Sequence, residues 1–143
     1  MPTDTADAVT IPGAIDAFCR LSEDYGNMSM AETLRPAIYY AETGVPVGNR
    51  TGFDWEKSEQ NLQGAAKKFY LLNGQAPKPG QMFKAPKQAE ILRKVSKDGR
   101  KAFYEGEIAE DMVNSLSQLG GSHTLDDFSS TKCEYTTPIS GFY

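Results

Sequence analysis

Histidine is the side chain most often recruited as general base or metal ligand. The chain has one, His123, in the stretch GGSHTLDD. A metal site needs a cluster of ligands, and Asp126 and Asp127 crowd His123 too closely to match a known ligand spacing. Asp127 also stands three residues after Thr124, the spacing of a reciprocal helix cap, which gives it a structural task. His123 is therefore expected to be a polar turn residue between two helical stretches. GGSHT lacks the Gly-x4-Gly-Lys-Ser/Thr spacing that cradles phosphate, and no Gly-x-Gly-x-x-Gly follows a strand pattern. From the residues alone, no catalytic, cofactor-binding or metal-ligating position is assigned.

The two cysteines, Cys19 and Cys133, permit one internal disulfide, but one falls in a helical pattern and the other in a strand pattern. They read as small buried hydrophobes rather than as a disulfide framework. Lys84, Lys87, Arg93, Lys94, Lys97, Arg100 and Lys101 form a basic stretch that Glu90 and Asp98 interrupt and an acidic helix follows. Such neighbouring opposite charges describe a solvated, paired surface. Trp55, Phe69, Tyr70, Phe103 and Tyr104 could line a pocket, yet at helical spacing they are expected to build the core.

The elements that would position these residues are mostly helical. VTIPG reads as a strand turning at Pro12-Gly13 into a helix over 14–25, with Ile15, Phe18, Cys19 and Tyr25 as its stripe and Gly26 as its stop. Ser29 and Glu32 have capping-box spacing ahead of Leu34, Ile38 and Ala41, and Pro36 must start a new helical piece or kink this one. VPVGNRTG reads as loop. A helix is expected from Asp54, carrying Leu62, Ala65, Ala66, Phe69 and Leu72 to a stop at Asn73-Gly74. QAPKPGQMFKAP is a rigid connector, and Pro86 opens a helix with Ala89, Leu92 and Val95. After the short piece RKAFYEG, Ile108, Met112, Leu116 and Leu119 mark a helix that ends at Gly120-Gly121, with Glu107, Glu110 and Asp111 at its positive end. Cys133, Tyr135, Thr137 and Ile139 alternate at period two, a strand over 132–143 in which Pro138 marks an edge or bulge.

With 143 residues, 39% hydrophobic and 24% charged, the chain has the balance of one soluble globular domain. A net charge of −4 and a pI near 5.0 argue against nucleic acid as partner. No apolar run approaches the roughly 20 residues that span a bilayer. The start MPTDTADAVT has neither the basic residues nor the apolar stretch of a signal peptide, and the compartment stays open. No solenoid-period repeat is visible.

Three stretches taken in order carry a likeness. AVTIPGAIDAF, MSMAETLRPAIYYAETGVPV and AFYEGEIAEDMVNSLSQLGGSHTLDDFSSTKCEYTTPISGFY resemble the large subunit of the gamma-glutamyltranspeptidase family. The last is the most specific, with Phe-Tyr-x-Gly-Glu-Ile-Ala from Phe103, then Gly120-Gly121, Thr-Leu-x-Asp-Phe from Thr124, and Pro-Ile-Ser-Gly from Pro138. The resemblance runs from about Ala8 to Tyr143 and is weakest at GNRTGFDW.

The resemblance implies a fold that is mainly α, the helical lobe of an α/β/β/α N-terminal-nucleophile hydrolase with a short C-terminal strand. It implies a precursor that cuts itself into large and small subunits. The Thr opening the small subunit attacks a gamma-glutamyl carbonyl with its own amine as base, and the group passes from glutathione-like donors to water or an amine. In the family that Thr and the Gly-Gly oxyanion region lie beyond Tyr143, and the Arg that grips the substrate carboxylate lies before Met1. Thr124, Thr131, Thr136 and Thr137 are internal, and Gly120-Gly121 ends a helix, so none is carried over as a site. Catalytic, cofactor and metal residues are accordingly expected to be none.

The chain, 1–143, is thus expected to be a single non-catalytic helical fragment. Residues 9–13 form its strand-to-helix joint and 132–143 its terminal strand. Its expected partners are the remainder of the large subunit and the small subunit, with self-association through the terminal strands. The parent family is often periplasmic or secreted. Alternatives are a fragment of a related acylase or poly-glutamate-processing enzyme, or a free-standing helical interaction module, against which the absence of repeats speaks.

Overall fold

In the computed structural model of the chain, which describes residues 5–141, the helices are bounded mainly by glycines and prolines, and reciprocal side-chain caps open two of them. α1 (Ala14–Tyr25) follows Pro12-Gly13 directly and stops at Gly26. α2 (Met30–Thr43) opens on a reciprocal cap. The Ser29 hydroxyl accepts from the Glu32 N–H at 3.2 Å, and the Glu32 carboxylate accepts from the Ser29 N–H at 3.0 Å. The helix is continuous through Pro36, so no new helical piece starts there. It ends at Gly44, where φ is +94° and an added Cβ would stand 2.9 Å from Lys84 Cγ. That position requires glycine for conformation and for space.

β1 (Val45–Pro46) pairs antiparallel with β2 (Met82–Phe83), Val45 opposite Phe83 and Pro46 opposite Met82. These strands lie in segments read from the sequence as loop and connector, because two residues are too few to display a period. α3 (Asn49–Ser58), a 3-10 turn at Glu59–Asn61 and α4 (Ala65–Tyr70) replace the one helix expected from Asp54. The break falls at Gly64, which takes φ +49° although the apolar spacing runs on across it. α5 (Pro86–Asp98) starts on its proline, and α6 (Arg100–Tyr104) occupies RKAFYEG. α7 (Glu107–Gln118) and α8 (Leu125–Ser130) follow as the spacing predicts.

The fold divides into two compact units, Met1–Thr33 with Lys94–Tyr143, and Leu34–Arg93. The first is built around Tyr104, Ala109 and Phe128, all fully buried, with Ile11, Ile15, Phe103, Met112, Val113 and Leu116 packed against them. In the second, Trp55 stands edge-on to Phe83 at 4.7 Å between ring centres and contacts Tyr70 at 6.4 Å. There Gly52 packs so closely on Pro79 that a Cβ would lie 2.8 Å from its Cδ.

Two expectations about strands are corrected. Among the described residues, neither 9–13 nor 132–141 forms a sheet ladder; Phe142 and Tyr143 lie outside the described residues. Period-two alternation proposes a strand, but a strand exists only where a neighbour exchanges backbone hydrogen bonds with it. Here side chains take that place. The Cys133 N–H donates to Asp16 at 2.7 Å, Arg20 donates to the Cys133 carbonyl, and Tyr104 donates to the Pro12 carbonyl. Phe18, Tyr25, Phe69 and Tyr70, placed on core stripes by their spacing, are exposed, as is Leu119 just past the end of α7.

Candidate functional site

Among the described residues a densely connected polar group centres on Asp16, which sequence reading did not single out. Its carboxylate is buried on the inner side of α1, beside buried Cys19. One oxygen accepts from Arg100 Nε at 2.6 Å and the other from the Cys133 N–H at 2.7 Å. Arg100, on α6, also donates through Nη2 to the Ser129 carbonyl at 2.9 Å and to the Thr131 carbonyl. Its guanidinium carbon lies 4.9 Å from the centre of the Tyr104 ring. The Tyr104 hydroxyl accepts from the Asp16 N–H at 3.2 Å and donates to the Pro12 carbonyl.

Burial by itself would raise the Asp16 carboxyl, but the Cys133 N–H and the Arg100 guanidinium outweigh it and hold the group below the ordinary carboxylate range. Burial pushes the Tyr104 hydroxyl up, as it does the Cys19 thiol, which the Glu23 and Asp16 carboxylates raise further. These shifts favour a charged Asp16 and protonated Tyr104 and Cys19 at neutral pH. Both Asp16 oxygens and the Tyr104 hydroxyl are occupied by protein partners, so the cluster acts as a clamp joining the Pro12-Gly13 turn, α1, α6 and the 129–133 segment. Arg100 and Tyr104 stand one turn apart on α6, but no linear spacing connects them to residues 16 and 133. The one clue in the sequence was an aspartate in the first turn of α1, three residues before a cysteine expected to be buried.

His123 sits where the sequence put it, between α7 and α8. Its Nε2 lies 2.6 Å from the Val9 carbonyl, and since a carbonyl only accepts, Nε2 carries the proton. Nδ1 is buried without a partner. Asp7 accepts from the Ser122 N–H and hydroxyl, both at 3.1 Å, completing a second tie between the start of the described chain and the α7–α8 turn. Asp127 forms the expected cap with Thr124, whose hydroxyl and N–H depress its carboxyl. Thr124 and Asp127 thus form a helix cap, and His123 ties the segment before it to Val9. The free cysteines are Cys19, buried, and Cys133, whose Sγ donates to the Gly13 carbonyl at 3.3 Å.

Two open grooves lie in the Leu34–Arg93 unit. One, about 690 Å³, runs between Phe53, Lys57, Glu59 and Lys67; the other, about 350 Å³, lies beside Trp55, Leu62 and Tyr70. Among the described residues no group of His, Cys, Asp or Glu has metal-binding geometry, and no helix is long and apolar enough to cross a membrane.

The Tyr104–Ala109–Phe128 core and the capped Thr124 turn fall in the stretch that carries the strongest motif likeness, which also supplies Tyr104 and Cys133 to the clamp. The family pattern described as Gamma-glutamyltranspeptidase matches residues 1–143. The chain belongs to the gamma-glutamyltranspeptidase family. It is 34% identical over 141 residues to the Glutathione hydrolase-like YwrD proenzyme of Bacillus subtilis, covering 95% of this chain and 26% of that protein. The gamma-glutamyltranspeptidase of Helicobacter pylori has the same fold, with a TM-score of 0.94 at 23% identity over 99% of this chain and 42% of that one. The cephalosporin acylase of Bacillus halodurans matches with a TM-score of 0.91 at 29% identity, over 100% of this chain and 28% of that one. The chain thus spans about a quarter of the length of the curated relatives it matches. It is a mainly helical lobe of the gamma-glutamyltranspeptidase fold.

Proposed function

We propose that this chain is a non-catalytic helical lobe from the large subunit of a gamma-glutamyltransferase-like enzyme. The observation that carries the reading is the family match over the full 1–143. In such an enzyme the Thr that opens the small subunit forms the acyl-enzyme and its amine takes the proton, so nucleophile and base come from outside this chain. The lobe supplies shape. Its Asp16–Arg100 clamp holds the Pro12-Gly13 turn against the 131–133 segment, fixing where the chain enters and leaves the lobe. The gamma-glutamyl group passes from glutathione-like donors to water or to amines.

The purified chain is expected to release no chromogenic amine from a gamma-glutamyl anilide above buffer. Turnover that co-elutes with the chain on gel filtration and disappears in His123→Ala or Thr124→Ala would overturn the reading. A second reading, a lobe of an acylase-type enzyme, is favoured by the match of the whole of this chain to part of the cephalosporin acylase. Sequencing the flanking DNA separates both from a free-standing helical module. Coding sequence for the rest of the large subunit and for the nucleophilic Thr is expected there.

A further inference from the structure

Asn73-Gly74, expected from the spacing to stop a helix, stands clear of one, since α4 ends at Tyr70. Leu72 and Gln75 form an isolated antiparallel bridge and exchange backbone hydrogen bonds at 2.8 and 3.2 Å, with Asn73 and Gly74 as the turn between them. Both turn residues take positive φ, +53° and +83°, as the tight hairpin turn favoured by Asn-Gly requires. Asn73, Gly74 and Gln75 are exposed, and nothing stands within 4 Å of where a Gly74 Cβ would lie. Among the described residues, neither the Asn73 side-chain amide nor the Gly74 N–H has a hydrogen-bond partner. The other asparagines differ. Asn27, Asn49, Asn61 and Asn114 precede Met28, Arg50, Leu62 and Ser115, whose side chains crowd the following nitrogen. Asn49 and Asn114 also lie within α3 and α7, and the Leu62 N–H is held by the Glu59 carbonyl at 3.1 Å.

The geometry points to Asn73 as a site of spontaneous covalent modification, in which its side chain closes on the Gly74 backbone nitrogen and water reopens the ring. The Gly74 nitrogen attacks Asn73 Cγ, the Cγ–Nδ2 bond breaks, and the Gly74 amide proton leaves with the side-chain nitrogen as ammonia. Water then adds to either carbonyl of the cyclic imide, leaving an aspartyl or an isoaspartyl residue at position 73. Water is the sole co-reactant, and no group is oxidised or reduced. Glycine after the asparagine matters because it has no Cβ to obstruct ring closure. The attack needs rotation about the Asn73 Cα–C bond, and so a brief opening of the turn. A turn closed by a single bridge, with exposed hydrogen bonds and no ladder beyond it, opens locally at little free energy.

Conversion would alter the larger groove, which Gly74 lines together with Lys57, Glu59 and Lys67. A new carboxylate changes its charge. The isoaspartyl form also routes the main chain through the side chain, which lengthens it by a methylene and takes Leu72 out of register with Gln75. Ala76, whose N–H donates to Glu59 at 2.8 Å, is next along the chain. The site is independent of the lobe reading above.

The test is ageing of the intact chain at mildly alkaline pH, beside the same chain in urea, followed by peptide mass mapping and isoaspartyl-specific methylation. The peptide holding Asn73 is expected to convert before any other asparagine peptide, with isoaspartyl among its products. The folded chain is expected to convert no more than about a hundredfold more slowly than the unfolded one, the range of local opening. A larger slowdown means that the turn opens only when the whole unit unfolds, and overturns the proposal. Earlier conversion at Asn27, Asn49, Asn61 or Asn114 overturns it too, and aspartyl product alone rules out the imide. Asn73→Gln is expected to abolish the isoaspartyl signal of that peptide in buffer and in urea, a result that does not depend on how the variant folds; a persisting signal overturns the assignment. In the converted chain, amide exchange at Leu72, Gln75 and Ala76 is expected to be faster than before ageing, and unchanged exchange overturns the effect on the groove.

Discussion

At Asp16, burial favours the neutral acid while Arg100 and the Cys133 N–H favour the anion, and the anion wins. A carboxyl depressed in the folded state contributes stability that is complete above its unfolded value, about 3.9, and is lost as pH falls through the lower folded value. Urea midpoints measured across acidic pH are therefore expected to decline more steeply for the natural chain than for Asp16→Asn, which lacks the titrating group. At neutral pH, Asp16→Asn is expected to cost about 3 kcal/mol, since it leaves the partly buried Arg100 without its counter-charge. A change below about 0.5 kcal/mol, the scale of a surface substitution, would show that the clamp contributes nothing. Tyr104→Phe removes a hydroxyl that both accepts and donates, and about 1–3 kcal/mol of destabilisation is expected in the same assay.

At the scale of the element, the reciprocal caps at Ser29 and Thr124 belong to helices of unequal length, 14 residues and 6. A short helix has little cooperative propagation to absorb a weak start. Removing either cap hydroxyl is expected to cost about 1 kcal/mol. In Thr124→Ala the faster amide exchange is expected to span all of α8, while in Ser29→Ala it stays within the first turn of α2. Amide exchange read by mass spectrometry checks this, and uniform loss across α2 would contradict it. Caps were legible beforehand because they are local, set by side chains three residues apart. The β1–β2 pair was not, because its partners lie 36 and 38 positions apart and each strand is two residues long. The division of the expected Asp54 helix into α3 and α4 also escaped the pattern, since the apolar period passes through Gly64 unchanged.

For the whole molecule, the far-ultraviolet circular dichroism spectrum is expected to be helical, and a reductant is expected to leave the thermal midpoint where it was, because Cys19 and Cys133 are free. A drop of several degrees would mean a lost disulfide in solution. Burial, reinforced by the Glu23 and Asp16 carboxylates, keeps the Cys19 thiol protonated, so Cys133 should react first with a thiol reagent at neutral pH. Mass spectrometry of the first modified species checks the order.

What the sequence determined by itself was the set of helices with caps and glycine stops, the helical class and the family likeness, all properties of neighbours along the chain or of ordered motifs. Asp127 was correctly read as a cap for the same reason. Only the tertiary structure decided that Asp16, Arg100, Tyr104 and Cys133 form one clamp, since an ion pair between residues 84 positions apart leaves no spacing to read. It also decided which stripe of α1 is covered. Phe18 and Tyr25 share the periodicity of a core face, but periodicity reports only that a helix has an apolar side, and what lies against that side depends on how the other elements pack. The alternation of Cys133, Tyr135, Thr137 and Ile139 shows the same limit: it suits a strand, and without a neighbour to exchange backbone hydrogen bonds the described part of that segment is tied down by Asp16, Arg20 and Asp24 instead.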